Sequence, residues 1–147
     1  MQGELFDPRQ SLGFQCLLTY RAFRAALERR LKHSGVSSTQ FIALAHLVSL
    51  GPLPQAELAA QLGITPASAV RLVDRMERDG WVRREAAPQD RRINLVVATD
   101  AALEVWRELS QHAWALLKEA YAGIDPAQIA GAIALLERVR RNLGAEL

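Results

Sequence analysis

Asp90, Arg91 and Arg92 stand side by side in the stretch EAAPQDRRINLVVAT, residues 85–99. A carboxylate beside two guanidiniums suits the recognition of an anion, phosphate above all. The guanidinium fork is planar and always charged, and it meets phosphate or carboxylate oxygens with paired hydrogen bonds. A plain solvated turn is the alternative reading of the same residues. Further arginines lie just upstream, Arg71, Arg75 and Arg78 within ITPASAVRLVDRMERDG. Nearly all of the 18 basic residues are arginine rather than lysine, yet the net charge is only +2. The placement of the arginines therefore says more than their number.

Other chemistries find little support. His33, His46 and His112 are scattered, and Cys16 is the single cysteine, with no positioned catalytic partner. No phosphate-binding loop or metal-ligand spacing occurs. No catalytic, metal or cofactor site is expected, and the chain is not expected to be an enzyme. One cysteine excludes an intrachain disulfide and fits a reducing compartment. The start, MQGELFDPRQS, lacks the basic-then-apolar layout of a secretory signal, and no apolar run approaches the ~20 residues that span a bilayer. These features predict a cytoplasmic protein without membrane contact.

The elements that must position the arginines follow from periodicity and punctuation. QSLGFQCLLTYRAFRAALERRLKHSG carries apolar residues at helical spacing and is closed by Gly35. A second helix enters through Ser37 or Ser38 and stops at Gly51-Pro52. A third, LPQAELAAQLG, ends at Gly63, with Pro54 standing where a capping side chain is usual. A fourth has Thr65 as its N-cap, Pro66 in its first turn and Gly80 as its stop. Two strands are predicted at Trp81 to Glu85 and Arg92 to Ala98, the second with Ile93, Leu95 and Val97 alternating against Asn94 and Val96. Thr99 or Asp100 caps a long helix to about Ala122, and Asp125-Pro126 starts the last, to about Leu143.

QAELAAQLGITPASAVRL has helix-turn-helix spacing. Leu58 and Leu62 face inward, Ala59 permits close crossing, and Gly63 serves the sharp turn. Ala69, Leu72, Val73 and Met76 cluster on one side of the next helix. The opposite side carries Ala67, Val70, Arg71, Asp74 and Arg78, with Ser68 and Arg75 at its margins. Small residues first and arginines further along suit a helix laid in the major groove. Its candidate contacts are Thr65, Ala67, Ser68, Val70, Arg71 and Arg75. A solvated face with Asp74–Arg78 as an i,i+4 pair is the alternative. The hairpin that follows tips the balance, since a helix-turn-helix plus a two-stranded ribbon makes a winged helix.

The fold class is therefore mainly α (α+β), a winged helix-turn-helix with N- and C-terminal dimerisation helices. Residues 1–147 form one domain: 1–50 and 99–147 a helical dimerisation region, 51–98 the DNA-binding lobe. The end helices carry apolar stripes, Leu103, Trp106, Leu109, Ala113, Leu116 and Leu117 in one and Ile129, Ile133, Leu136, Val139 and Leu143 in the other. A second copy would cover them, and two-fold dimers are the commonest oligomers.

The segment AELAAQLGITPASAVRLVDRMERDGWVRREAAPQDRRINLVVATDAA resembles the MarR family of bacterial transcription factors, and the helix order is similar along essentially the whole chain. The family's wing motif is Asp-x-Arg, five residues, then Leu-Thr. Here Asp90, Arg91 and Arg92 are followed by INLVV, Ala98 and Thr99, with alanine in place of the leucine. The resemblance implies a homodimer on a palindromic double-stranded DNA operator, usually repressing. It implies Arg92 as the minor-groove arginine, Asp90 as its orienting partner, Arg91 on phosphate and Arg71 as a recognition-helix contact. Arg75 would meet phosphate or brace the wing through Asp90. Two-residue spacing independently puts Asp90 and Arg92 on one side of an extended ribbon.

Family members also release DNA on binding a small, often aromatic, anionic effector. His46, Trp81, Trp106 and His112, with Trp114, are the candidate lining residues of such a cleft, against the plainer reading that they pack. Cys16 and Tyr20, one helical turn apart, resemble the peroxide-sensing branch, although the further tyrosines of that branch are replaced by Arg30, Ser38 and Phe41. A buried cysteine acting as a small hydrophobe is the alternative. A winged helix used for protein contacts without DNA is the other competing class, and Asp74, Glu77 and Asp79 give it some support by offsetting the arginines.

Overall fold

The computed structural model describes residues 6–145. Its elements are α1 (Leu12–Leu31), α2 (Ser38–Leu50), β1 (Leu53–Pro54), α3 (Gln55–Leu62), α4 (Pro66–Arg78), β2 (Val82–Ala86), β3 (Asn94–Ala98), α5 (Asp100–Ala120) and α6 (Pro126–Asn142). They divide into two compact units, one ending at Ala113 and the other beginning at Trp114, inside α5. Among the described residues no helix is long and apolar enough to cross a membrane.

In the first unit, α1 ends at Leu31, four residues before the expected glycine. Ser34 N–H donates to the Leu31 carbonyl at 2.9 Å, and Gly35 then turns the chain at φ 74°. A reciprocal capping box sets the start of α2. Gln40 N–H donates to Ser37 Oγ at 3.1 Å, and Ser37 N–H donates to Gln40 Oε1 at 2.9 Å. Ser38 Oγ donates to Glu28 Oε1 at 2.8 Å and ties that start to α1. As expected, α3 begins at Pro54 without a side-chain cap.

The turn between α3 and α4 rests on Gly63, at φ 63° and ψ 32°, whose N–H donates to the Ala60 carbonyl at 3.1 Å. A Cβ built there would meet nothing within 4 Å. Gly63→Ala is thus expected to cost only the left-handed backbone penalty, about 1–2 kcal/mol, read as a lower urea midpoint with an unchanged m-value.

The ribbon is three-stranded rather than two-stranded. Its order is β1-β3-β2, antiparallel throughout, with Leu53 opposite Val96 and Val82 opposite Ala98. A two-residue strand ending on a proline has no period for sequence reading to detect. With neighbours on both edges, β3 also departs from simple alternation. Val96 is fully buried and Val97 nearly so, while Ile93 precedes the strand and stays exposed. Trp81 and Arg92 likewise fall outside the strands expected to contain them. The core beneath the sheet comprises Ala43 and Leu44 of α2, Leu58 of α3, Val73 and Met76 of α4, and Val82 and Val96. Thr99 fixes the far end, with Oγ1 donating to the Gly80 carbonyl at 2.6 Å and accepting Ala102 N–H at 3.2 Å.

The second unit holds the end of α5 and α6. Asp125 caps α6, accepting Ala127 N–H at 2.8 Å, and Gln128 completes a capping box. Ile129, Leu136 and Val139 of the expected stripe are half-buried, while Ile133 and Leu143 are exposed. Trp114 is exposed as well.

Candidate nucleic-acid interface

The first arm of the candidate site is α4. Thr65 Oγ1 accepts Ser68 N–H at 3.1 Å, satisfying one of the free donors of the first turn. Pro66 adds a residue with no amide hydrogen to satisfy. Burial of Ala69, Val73 and Met76 fixes the rotation of the helix and turns Ala67, Val70, Arg71, Asp74, Arg75 and Arg78 to solvent. Ser68 Oγ accepts from Thr65 Oγ1 at 2.9 Å and from Arg71 Nη2 at 3.2 Å. The cap thus also holds a guanidinium against the first turn of the exposed face.

The second arm is the loop between β2 and β3. Ala87 N–H donates to the Ile93 carbonyl at 2.9 Å and Ile93 N–H to the Asp90 carbonyl at 3.0 Å, closing a tight turn. Asp90 Oδ1 accepts Arg92 N–H at 3.0 Å and Arg92 Nε at 3.1 Å, and Oδ2 accepts Nη2 at 3.0 Å. The expected pairing is present, but its geometry differs from expectation. The two residues sit in a turn rather than on one side of an extended strand, and the bond from the Asp90 side chain to the amide two residues on shapes that turn. The Arg92 side chain is 90% exposed and Asp90 is 32% exposed. The guanidinium hydrogen bond, then the amide bond from the same residue, hold the Asp90 carboxyl below its ordinary value; Asp90 in turn raises Arg92. Both stay charged at neutral pH. Arg91 is exposed beside them.

Arg75 is exposed on the same helix as Arg71, α4. It lines a cleft of about 380 Å³ with Glu28, Lys32, Ser38 and Asp79, and the partner that orients Asp90 is Arg92. Asp74 pairs across the fold with Arg84 of β2, Nη2 to Oδ1 at 2.7 Å, rather than along the helix with Arg78. Sequence reading passed over Arg84. The signal was the strand period, which places it two residues after buried Val82 on the face turned towards α4.

His46 lines a cleft of about 480 Å³ with Tyr20 and Arg24 of α1, Thr39 and Ile42 of α2, and residues 60–64. Its Nδ1 lies 2.8 Å from the Ile42 carbonyl, which accepts, so Nδ1 carries the proton. Trp106 packs against Phe41 with ring centroids 5.0 Å apart and planes tilted by 37°. Trp81 and His112 are half-buried and do not line the cleft. Cys16 is half-buried on α1, while Tyr20 is exposed and reaches the cleft.

A helix-turn-helix continued by an antiparallel sheet, with an arginine-tipped loop at its end, defines the winged helix class of DNA-binding proteins. Residues 34–93, from the end of α1 to the wing tip, match the model of the MarR family. The crystal structure of a MarR-family transcriptional regulator from Silicibacter pomeroyi superposes with a TM-score of 0.81 at 25% identity, covering 95% of this chain and 96% of that one. The apo structure of MarR from E. coli gives 0.76 at 23% identity, covering 92% and 98%. That of CouR from Rhodococcus jostii, bound to p-coumaroyl-CoA, gives 0.76 at 22%, covering 92% and 95%. Over residues 34–93 the chain is similar to the MarR family, and its fold is that of the winged helix transcriptional regulators solved in that family.

Proposed function

We propose that the protein is a cytoplasmic homodimeric repressor that binds a palindromic operator and leaves it when a small ligand binds. The observation that carries this reading is the pairing of two exposed arms on one packed lobe. α4 offers small residues and Arg71 to a major groove, and the clamped Arg92 is offered to the adjoining minor groove, where a narrow width concentrates negative potential. Ala67, Ser68, Val70 and Arg71 then face base edges, Thr65 and Arg91 face phosphate, and Asp90 holds Arg92.

Exposed apolar side chains support the dimer. α1 shows Leu12, Leu17 and Leu18, and the second unit shows Ile133, Leu135 and Leu143. A second copy would cover them. Two-fold symmetry then spaces the half-sites by one helical turn, about 10 bp. The cleft at His46, with Arg24 for a carboxylate and Tyr20 as an aromatic wall, is the candidate effector site.

Footprinting of the purified protein on its own promoter tests the reading. A protected palindrome is expected, with log affinity falling linearly in log salt by about 0.9 per phosphate contacted. Binding that is insensitive to both sequence and salt would overturn it.

A further inference from the structure

Asp74 is an acid on the exposed face of α4, within one turn of both Arg71 and Arg78, and its side chain is 52% exposed. A carboxylate there would repel phosphate or draw off a guanidinium meant for it. Arg84 prevents both. From β2 its Nη2 reaches Asp74 Oδ1 at 2.7 Å and its Nη1 reaches Glu77 Oε1 at 3.2 Å. Its Nε donates to Gln55 Oε1 of α3 at 3.0 Å, and its backbone N–H donates to Glu77 Oε2 at 3.2 Å. The Arg84 side chain is 21% exposed, far less than Arg92 at 90%. One guanidinium therefore joins three elements: both helices of the helix-turn-helix and the strand that leads into the wing.

We propose that Arg84 is a positioning residue for DNA recognition, which fixes the wing relative to α4 and withdraws Asp74 and Glu77 from the phosphates. This rests on the DNA-binding reading above and deepens it. The two arms reach different grooves, so a change in the angle between them disengages one arm when the other is seated. Its planar fork, with donors in fixed directions, reaches three partners at once; a lysine ammonium is a compact point charge without that fixed geometry. The carboxylate ends of these pairs are about half exposed, and ion pairs open to water add little to stability by themselves. The effect of losing Arg84 is therefore expected in binding more than in folding.

The test measures operator affinity of the full-length protein, well below its unfolding temperature, for wild type, Arg84→Met, Arg92→Ala and the double variant. Arg84→Met is expected to weaken binding tenfold or more. In its background the Arg92→Ala loss is expected to shrink to a few-fold, because a misplaced wing has little left to lose. Arg84→Lys is expected to keep the coupling defect. If Arg84→Met binds as tightly as wild type, or if the Arg92→Ala loss is the same in both backgrounds, the proposal falls. Should Arg84→Met fail to fold, Asp74→Asn with Glu77→Gln replaces it, with the same shrinkage expected and the same outcome fatal. If wild type binds no DNA, it is the DNA-binding reading that fails.

Discussion

Replacing Arg92 with alanine is expected to weaken operator binding on the order of a hundredfold, about tenfold for each wing of the proposed dimer, while leaving the folded protein intact. The separation of the two effects follows from geometry. Arg92 is bonded to Asp90 within its own turn, and its side chain is 90% exposed, so no packed neighbour depends on it. Its removal leaves Asp90 able to turn to water and the sheet untouched. What is lost is a charge held at a fixed height above the lobe. Clamping restricts the rotamers of a long side chain before DNA arrives, which lowers the ordering cost of binding. Unchanged affinity in a gel shift would refute this role for the wing; a lowered melting temperature would show that the tip does more for the fold than its exposure implies.

Leu58→Ala should do the reverse. Leu58 lies on the inner face of α3 with no exposed surface, in the same core as Val73, Met76 and Val96. Truncation removes buried methyls and leaves a hole that the rigid turn at Gly63 limits from closing. A loss of about 2–5 kcal/mol is expected, a large part of the roughly 5–15 kcal/mol available to a small domain. Urea or thermal unfolding measures it directly. DNA binding should persist at low temperature and disappear with the folded fraction. A midpoint unchanged from wild type would mean that Leu58 is not under the helix-turn-helix as described.

How far the sequence foretold this depends on how local each determinant is. The caps at Ser37, Thr65 and Asp125 were legible because each bonds an amide within three residues. The turn at Gly63 was legible because few other residues take a left-handed backbone cheaply. The order of helices and strands followed from period changes, and the candidate contacts on α4 followed from which positions the core consumed. The pairing of Asp90 with Arg92 was expected, but in an extended ribbon, and the turn that makes it was not foreseen. β1 was invisible, since its two residues become a strand only when β3 lies beside them. The Asp74–Arg84 pairing was not foreseen for the same reason. Local spacing offers Arg78, yet Arg84 wins because its fork meets Asp74 and Glu77 together and also reaches Gln55, 29 positions away in sequence. The contact of Trp106 with Phe41 was likewise hidden, because it joins helices far apart in sequence.

The central place of β3 leaves the sheet with two free edges, and neither invites a further strand. β1 is two residues long and ends in Pro54, which has no amide hydrogen to offer. β2 is edged by Arg83 and Glu85, exposed and paired to each other at 2.6 Å. A foreign strand arriving there meets charge that must be stripped of water before any backbone bond forms. The protein can therefore hold its wing out from the lobe, off DNA and crowded among its own copies, without offering a template for aggregation.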